Sequence, residues 1–488
     1  MTKSNILTFI FILTGALIIA PFNAKAQNDT RSPYSSKGFG EQYASDFALN
    51  RAYGGISNGL RSSNFVSVSN AAALTALRKN RVIYNFGFRG DYGQTFSGSS
   101  RFDYRNGNFS YLSLAFPVYT SKDRSKDTIK SKDNTKNIIL KNPAYKTDWA
   151  MAFGISPYSS IGSFYFRRTD TTFANYVTTF GNYGGLTKAY ISNSFRISRN
   201  LSAGVTSAFL FGQINSTKVQ IYPDTARFYD YSDESIYHFK GFRHDFGVQY
   251  NAGFGRYKSV KESDELDYKY TVVAGATFTP GSSLNYTLTR YAHTIPIYVN
   301  TSGDTLLYQN NVRGTAKMAS AFSVGATVTY KKNWLLGIDY KQDNLAKVKK
   351  TIFTDSFSNA TQLTFSFGFR PDADIVENKK NDKGKKMSNF EYRFGYKLMN
   401  TGYNFKGTDG KIENIKAQGM SFGIGIPKLR RVYSYSQNNW VYLKSMINVT
   451  GEYISRGQNS NGLVGEKIYR LTIGFSLSDL WFDNRKIN

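Results

Sequence analysis

The sequence contains no cysteine, and only 10 prolines, 3 histidines and 4 tryptophans in 488 residues. Without cysteine there is no disulfide scaffold, no thiolate metal site, no cysteine nucleophile and no lipid-anchored mature N-terminus. The three histidines are His238, His244 and His293, and none has the i, i+4 spacing with a glutamate that a zinc-protease helix requires. Beyond the N-terminus, no stretch supplies the ~18 consecutive apolar residues of a membrane helix. Acidic groups are also scarce, with 34 Asp and Glu against 62 Lys and Arg, for a formal net charge of +28. What the chain has in excess is ring: 36 Tyr and 38 Phe, too many stiff apolar groups for a solvated, disordered protein.

A basic, aromatic chain could bind nucleic acid, but its first residues assign another compartment. Lys3 precedes an apolar stretch at 6–20, and Ala24-Lys25-Ala26 before Gln27 fits a small-residue cleavage site. Residues 1–26 are therefore expected to be a secretory signal peptide. An exported, cysteine-free protein points to the Gram-negative envelope, which removes nucleic acid as a partner. A membrane location would require a β-barrel, because no apolar helix is available and only a closed sheet satisfies its own backbone in lipid.

From Arg81 onward, large apolar residues alternate with small or polar ones, the period that places neighbours on opposite faces of a strand. Trp149, Met151, Phe153 and Ile155 interleave with Ala150, Ala152 and Gly154; Leu363, Phe365, Phe367 and Phe369 interleave with Thr364, Ser366 and Gly368. In Phe390, Tyr392, Phe394, Tyr396 and Leu398 the apolar face is continuous, while Glu391, Arg393 and Lys397 charge the other. The segments around Met420 to Ile426 and Leu471 to Leu477 repeat the scheme. About fourteen such segments predict an all-β fold: a transmembrane antiparallel barrel of about 14 strands, with the ring-rich face in lipid and the polar face lining a lumen.

Residues 27–80 do not follow this period. Asn70 can cap a short helix over 71–78, where alanines favour the helical state. The expected organisation is thus a signal peptide at 1–26, an N-terminal, partly helical hatch or plug at 27–80, and a barrel at 81–488. Two lysine-rich stretches, 121–146 and 372–386, are expected to be solvated extracellular loops; the sharper alternative is that they meet the phosphates of lipopolysaccharide or an acidic partner protein.

Little in the sequence suggests catalysis. Arg243-His244-Asp245 could be a fragment of an acid–base site, but His244 shares its parity with Phe246, Val248 and Tyr250 and so lies on the apolar face, away from Asp245. Gly38-Phe39-Gly40 and Gly423/Gly425 lack the Lys-Ser/Thr of a phosphate loop and fit places where backbone meets a plug or a tight bend. No enzyme activity and no cofactor are expected.

Ser32-Pro33-Tyr34-Ser35, Gly38-Phe39-Gly40, Arg51-Ala52-Tyr53-Gly54-Gly55-Ile56 and Ser69-Asn70-Ala71-Ala72 form an ordered set with later pieces. Those are Gly154-Ile155-Ser156-Pro157-Tyr158-Ser159, Tyr183-Gly184-Gly185-Leu186, Gly275-Ala276-Thr277-Phe278-Thr279-Pro280, Gly423-Ile424-Gly425-Ile426-Pro427 and Leu477-Ser478-Asp479-Leu480-Trp481-Phe482. Together they resemble the FadL/toluene-porin family of outer-membrane barrels, in its Bacteroidetes-type form. The resemblance implies a 14-stranded barrel with a hatch, integral to the outer membrane, and passive uptake of lipids, fatty acids or aromatics through the plugged lumen. The family's hatch reads Asn-Pro-Ala, whereas this chain has Asn70, Ala71 and Ala72, so the fixed φ of proline is lost at the presumptive gating site. The alternative use of such a barrel is as a non-transporting accessory subunit of a BAM-type outer-membrane protein assembly or a type IX secretion complex. The expected partners are outer-membrane lipid and lipopolysaccharide, a hydrophobic ligand, or envelope proteins. Uptake requires an apolar path; a lumen filled by Arg89, Glu391, Arg393 and Lys397 paired with the hatch would count against it.

Overall fold

The computed structural model describes residues 32–43, 47–122, 128–130, 137–139, 145–170, 175–223, 228–258, 266–295, 303–348, 357–371, 390–435 and 439–481. The alternating segments form strands β1 (Arg81–Ser97), β2 (Ser100–Lys122), β3 (Tyr145–Asp170), β4 (Asn175–Arg196), β5 (Leu201–Ile221) and β6 (Asp230–Lys258). Strand β7 comprises Leu266–Thr279 and Ser282–Ile295, and β8 comprises Thr305–Met318 and Ala321–Tyr330. They are followed by β9 (Trp334–Asp343), β10 (Ala360–Phe369), β11 (Glu391–Lys406), β12 (Ile412–Ser434), β13 (Asn439–Arg456) and β14 (Gly465–Leu480). Each strand pairs antiparallel with the next, and β14 pairs with β1 from Leu480↔Arg81 to Gly465↔Phe96, closing a 14-stranded barrel. Closure removes the sheet edges that lipid could not satisfy. Among the described residues no helix is long and apolar enough to cross a membrane.

The period of two sets the two faces. On β14, Tyr469, Leu471 and Leu477 point outward and are exposed, while Arg470, Thr472 and Ser476 point inward and are buried. This reverses the pattern of a soluble protein and suits a wall between lipid and a packed lumen. The apolar band from Tyr469 to Trp481 spans about 30 Å at ~3.3 Å per residue and a ~40° tilt. All four tryptophans lie near one rim: Trp149, Trp334 and Trp440 near the starts of β3, β9 and β13, and Trp481 just after β14. Tyr92, Tyr453 and Tyr469 cluster toward the other rim, with centroids 5.3–6.1 Å apart. Aromatic girdles at both interfaces are the expected placement for rings with one polar edge.

Strands β7 and β8 are interrupted side by side, at Pro280-Gly281 and at Ala319-Ser320. Proline cannot donate to the ladder, so β7 breaks there and resumes against the upper half of β6.

The N-terminal segment runs inside the barrel. It contains a 3-10 turn (Pro33–Ser36), a two-residue strand, Glu41–Gln42, paired with Ser160 and Ser159 of β3, the short helix α1 (Ala48–Ala52) and a 3-10 helix (Ala71–Ala76). The helix expected over 71–78 is therefore present, but it is of 3-10 type and stops at Ala76, where Leu77 N donates to Leu74 O. So short a segment satisfies its ends more readily with i→i+3 bonds.

The signal-peptide expectation, 1–26, lies outside the described residues, as do most of 121–146 and all of 372–386. The strand ends flanking the lysine-rich stretches are described. Lys122, Tyr145, Phe369 and Glu391 lie at the rim where the barrel begins at Arg81 and ends at Leu480. Polar chain ends remain on the side from which a barrel is inserted, because drawing charge through hydrocarbon costs ~3 kcal/mol or more per group. That rim is therefore periplasmic.

Candidate functional site: an ion-paired lumen

The inward face of the barrel carries charge at positions fixed by strand parity, and the N-terminal segment brings complementary groups to it. Arg51, on α1, donates from Nη1 to Glu452 Oε2 of β13 at 3.1 Å, and Lys397 Nζ of β11 reaches the other oxygen of Glu452 at 3.0 Å. Glu452 has a side chain 1 % exposed, so two cations compensate one carboxylate away from water.

A second cluster ties down the start of the segment. Arg456 Nη2 lies 2.6 Å from Glu466 Oε2 and 3.4 Å from Glu41 Oε2, and Ser32 Oγ donates to Glu466 Oε2 at 3.0 Å. Tyr104 donates to the remaining Glu466 oxygen at 2.9 Å, and the Tyr34 hydroxyl donates to Val464 O. Burial would raise the Glu41 carboxyl, but Arg456, Arg470 and Arg89 outweigh it and hold its pKa below the ordinary value of 4.5. Nearby, Arg470 Nε and Arg89 Nε share Asp91 at 2.7 and 3.2 Å, and Arg89 donates to the Tyr43 hydroxyl at 2.7 Å.

Toward the periplasmic mouth, Glu391 accepts from Arg393 at 2.7 Å, Lys444 at 2.9 Å and Arg370 at 3.0 Å. Arg393 is fully buried, bonds Asn448 Oδ1 at 2.6 Å and lies over the Tyr53 ring at 5.7 Å. Asp339 Oδ2 accepts from the backbone N–H of Ser57 and Asn58 at 2.7 and 3.0 Å. Arg61 is held by neutral acceptors, Gln249 Oε1 at 2.9 Å and Thr75 Oγ1 at 2.7 Å; burial and the neighbouring Arg196 bring its pKa down to about 10, so it stays charged at neutral pH.

Between these clusters a cavity of about 170 Å³ remains, bordered by Glu41, Arg51, Lys397, Glu452, Arg456 and Arg470. Tyr43, Leu345, Met399, Tyr403, Ala417 and Ile454 also line it, so its wall mixes ionic and apolar groups. Apolar packing lies on either side of it: Phe47, Phe65, Leu74 and Tyr111 form the core between segment and wall, and Ile161, Leu186, Leu210, Phe239, Leu284 and Met318 form a second cluster against which Phe39 packs.

Glycine lets the two backbones touch. Gly395 of β11 faces Gly54, whose φ is +75°, and any side chain at 395 would overlap the Gly54 backbone. Gly40, with φ +85°, is pressed against Ser160 O. Gly423 meets Ala52, which fits the sequence reading of glycine as the place where wall meets plug, whereas Gly425 makes room for the Arg393 guanidinium of the neighbouring wall strand.

Asn70, Ala71 and Ala72 lie against the inner faces of β5 and β6. Asn70 Oδ1 accepts from Ala72 N at 3.1 Å and its amide donates to Val248 O at 3.1 Å. Ala71 and Ala72 abut Gly204, so their small side chains permit close approach. Arg89, Glu391, Arg393 and Lys397 all point inward as their parity predicted. Glu452, the partner of Lys397, and Arg456 and Asp339 in the neighbouring clusters were not singled out for the lumen from sequence; the available signal was charge at lumen parity on β9 and β13. His244 faces outward with Nδ1 3.0 Å from Ser207 Oγ, while Asp245 points inward and accepts from Thr279, so Arg243-His244-Asp245 does not converge.

Several solved structures share the fold. A Pseudomonas putida channel described as the TodX deltaS2S3 mutant monoaromatic hydrocarbon channel has a TM-score of 0.50 at 14% identity, over 90% of this chain and 99% of that one. The P. putida toluene transporter TodX gives 0.49 at 12% identity, over 91% and 100%, and a Pseudomonas aeruginosa FadL homologue gives 0.47 at 12% identity, over 91% and 99%. At such identities the likeness is one of fold alone, a closed antiparallel β-barrel. No curated protein matches the sequence. The sequence model of the BamG family matches residues 6–122 and 118–488. With a match across nearly all of its length, the chain belongs to the BamG family.

Proposed function

We propose that this protein is a sealed, non-conducting barrel that acts as an accessory subunit of an outer-membrane protein assembly complex. In this reading residues 27–80 are the plug and 81–488 the barrel, and Asn70, Ala71 and Ala72 fix the plug to β5 and β6 instead of gating it. The observation that carries the proposal is Glu452, buried and bridged to both Arg51 of the plug and Lys397 of the wall. A plug free to move for each transported molecule would have to separate such pairs, and removing one partner of a buried pair costs ~3–5 kcal/mol. Membership of the BamG family agrees with the accessory role.

Passive uptake of hydrophobic molecules, such as lipids, fatty acids or aromatics, is the second reading. The apolar cluster around Leu210, Phe239 and Leu284, close to the interruption of β7 and β8, favours it. Native-level purification of the full chain in mild detergent, followed by native mass spectrometry, separates the two. The accessory reading predicts a stoichiometric complex with other outer-membrane proteins. Recovery of the barrel alone at full yield, together with saturable uptake of a labelled aromatic into proteoliposomes, would replace it with transport.

A further inference from the structure

Both rims of the barrel carry ion pairs together with exposed cations that meet no carboxylate among the described residues; at the rim away from the chain ends these include Arg167, Lys406 and Lys467. The pairs at that rim include Arg101 and Asp103 at 2.8 Å, Arg168 and Asp170 at 3.1 Å, and Arg290 and Asp233 at 2.6 Å. At the periplasmic rim the carboxylates with described side chains are already engaged. Asp148 faces Arg196 at 3.6 Å, Asp479 faces Arg430 at 2.8 Å, and Glu391 is shared by Arg370, Arg393 and Lys444. Beyond these pairs Arg78, Arg199, Lys428 and Arg431 are exposed, and none of them meets a carboxylate among the described residues.

The exposed cations extend to the plug, which carries Arg78. Arg61, also of the plug, borders a cavity of about 220 Å³ at this mouth together with Glu391. Lipid headgroups reach only the outer perimeter of a barrel, so cations on the plug are positioned for something that covers the mouth. One element stands out from the rim. The β12–β13 pairing continues from Lys428↔Ser445 to Ser434↔Asn439, past the residues where β11 begins and β14 ends. This ribbon carries Lys428 and Arg431, the latter over the Trp440 ring at 4.7 Å. Arginine and tryptophan are the residue types that dominate protein interfaces. We propose that the periplasmic mouth, centred on this ribbon, is the docking surface for an acidic protein surface that caps it. The proposal rests on the accessory reading and names the chemistry of the partner; complementary charge would steer its association and fix its orientation.

The test uses the full chain in phosphatidylcholine nanodiscs, with both mouths accessible and a fluorescent polyglutamate peptide as probe. Binding is expected to be saturable and to weaken with salt. It should fall by about 10-fold or more in R199E/K428E/R431E and stay unchanged in R168E/K411E at the opposite rim. Equal affinity in the wild type and the first variant, or equal loss in both variants, overturns the proposal. In nanodiscs containing phosphatidylglycerol, loss of bound lipid from R199E/K428E/R431E with unaltered polyglutamate binding also overturns it, by assigning the rim to headgroups. The heat-dependent gel shift of folded barrels reports folding, and R199E alone provides the comparison should the triple variant not fold. A failure here with the stoichiometric complex intact removes the docking surface and leaves the accessory reading standing.

Discussion

At the residue scale the account rests on carboxylates that are buried and over-compensated. Replacing Glu452 by Gln strands Arg51 and Lys397 as buried cations. The expected cost is ~3–5 kcal/mol, read as a lower denaturation midpoint in detergent, whereas Asp170→Asn on the exposed Arg168 pair should change it by under ~1 kcal/mol. Glu41 gives a pH dependence. Its pKa is held below 4.5 by Arg456, Arg470 and Arg89, so its contribution is fully present above that value and is lost as pH falls through the folded-state pKa. Limited proteolysis of the N-terminal segment should be flat from neutrality down to about pH 5 and accelerate in more acidic solution. In Glu41→Gln that acid-dependent step should shrink.

At the element scale the N-terminal segment behaves as part of the wall it touches. The Gly54–Gly395 contact has no room for a side chain, so Gly395→Val should displace α1 from β11 and β12. The absence of cysteine makes this directly measurable: Ala52→Cys, fully buried in the native arrangement, should resist a thiol reagent in the wild-type background and react in the Gly395→Val background. The strands were legible because lipid and lumen impose opposite requirements on alternate residues, and Phe394 and Arg393 already displayed both in sequence. The charged inner face was legible for the same reason. The pairing of Glu452 with Arg51 was not, because the two are 401 positions apart and alternation says nothing of which plug residue reaches which strand. The helix at 71–76 was anticipated from Asn70 and its alanines, while the contact of Ala71 and Ala72 with Gly204 was not, since only the fold brings β5 near.

At the scale of the whole molecule, the even strand number places both barrel ends at one rim, where the tryptophans also lie. The lysine-rich stretches were read as extracellular because long hydrophilic connections usually are. Strand direction, which no local pattern encodes, puts the described strand ends that flank them, Lys122, Tyr145, Phe369 and Glu391, at the rim where the barrel begins and ends. The lumen cations that are matched by buried acids add little to the formal charge of +28, which lies mainly elsewhere on the chain. The central claim is that the plug seals the barrel through its ion pairs. Its most direct test is single-channel recording of the purified full chain in planar bilayers. The account predicts no conductance steps for the wild type and discrete openings for E41Q/E452Q; stable openings in the wild type would contradict it.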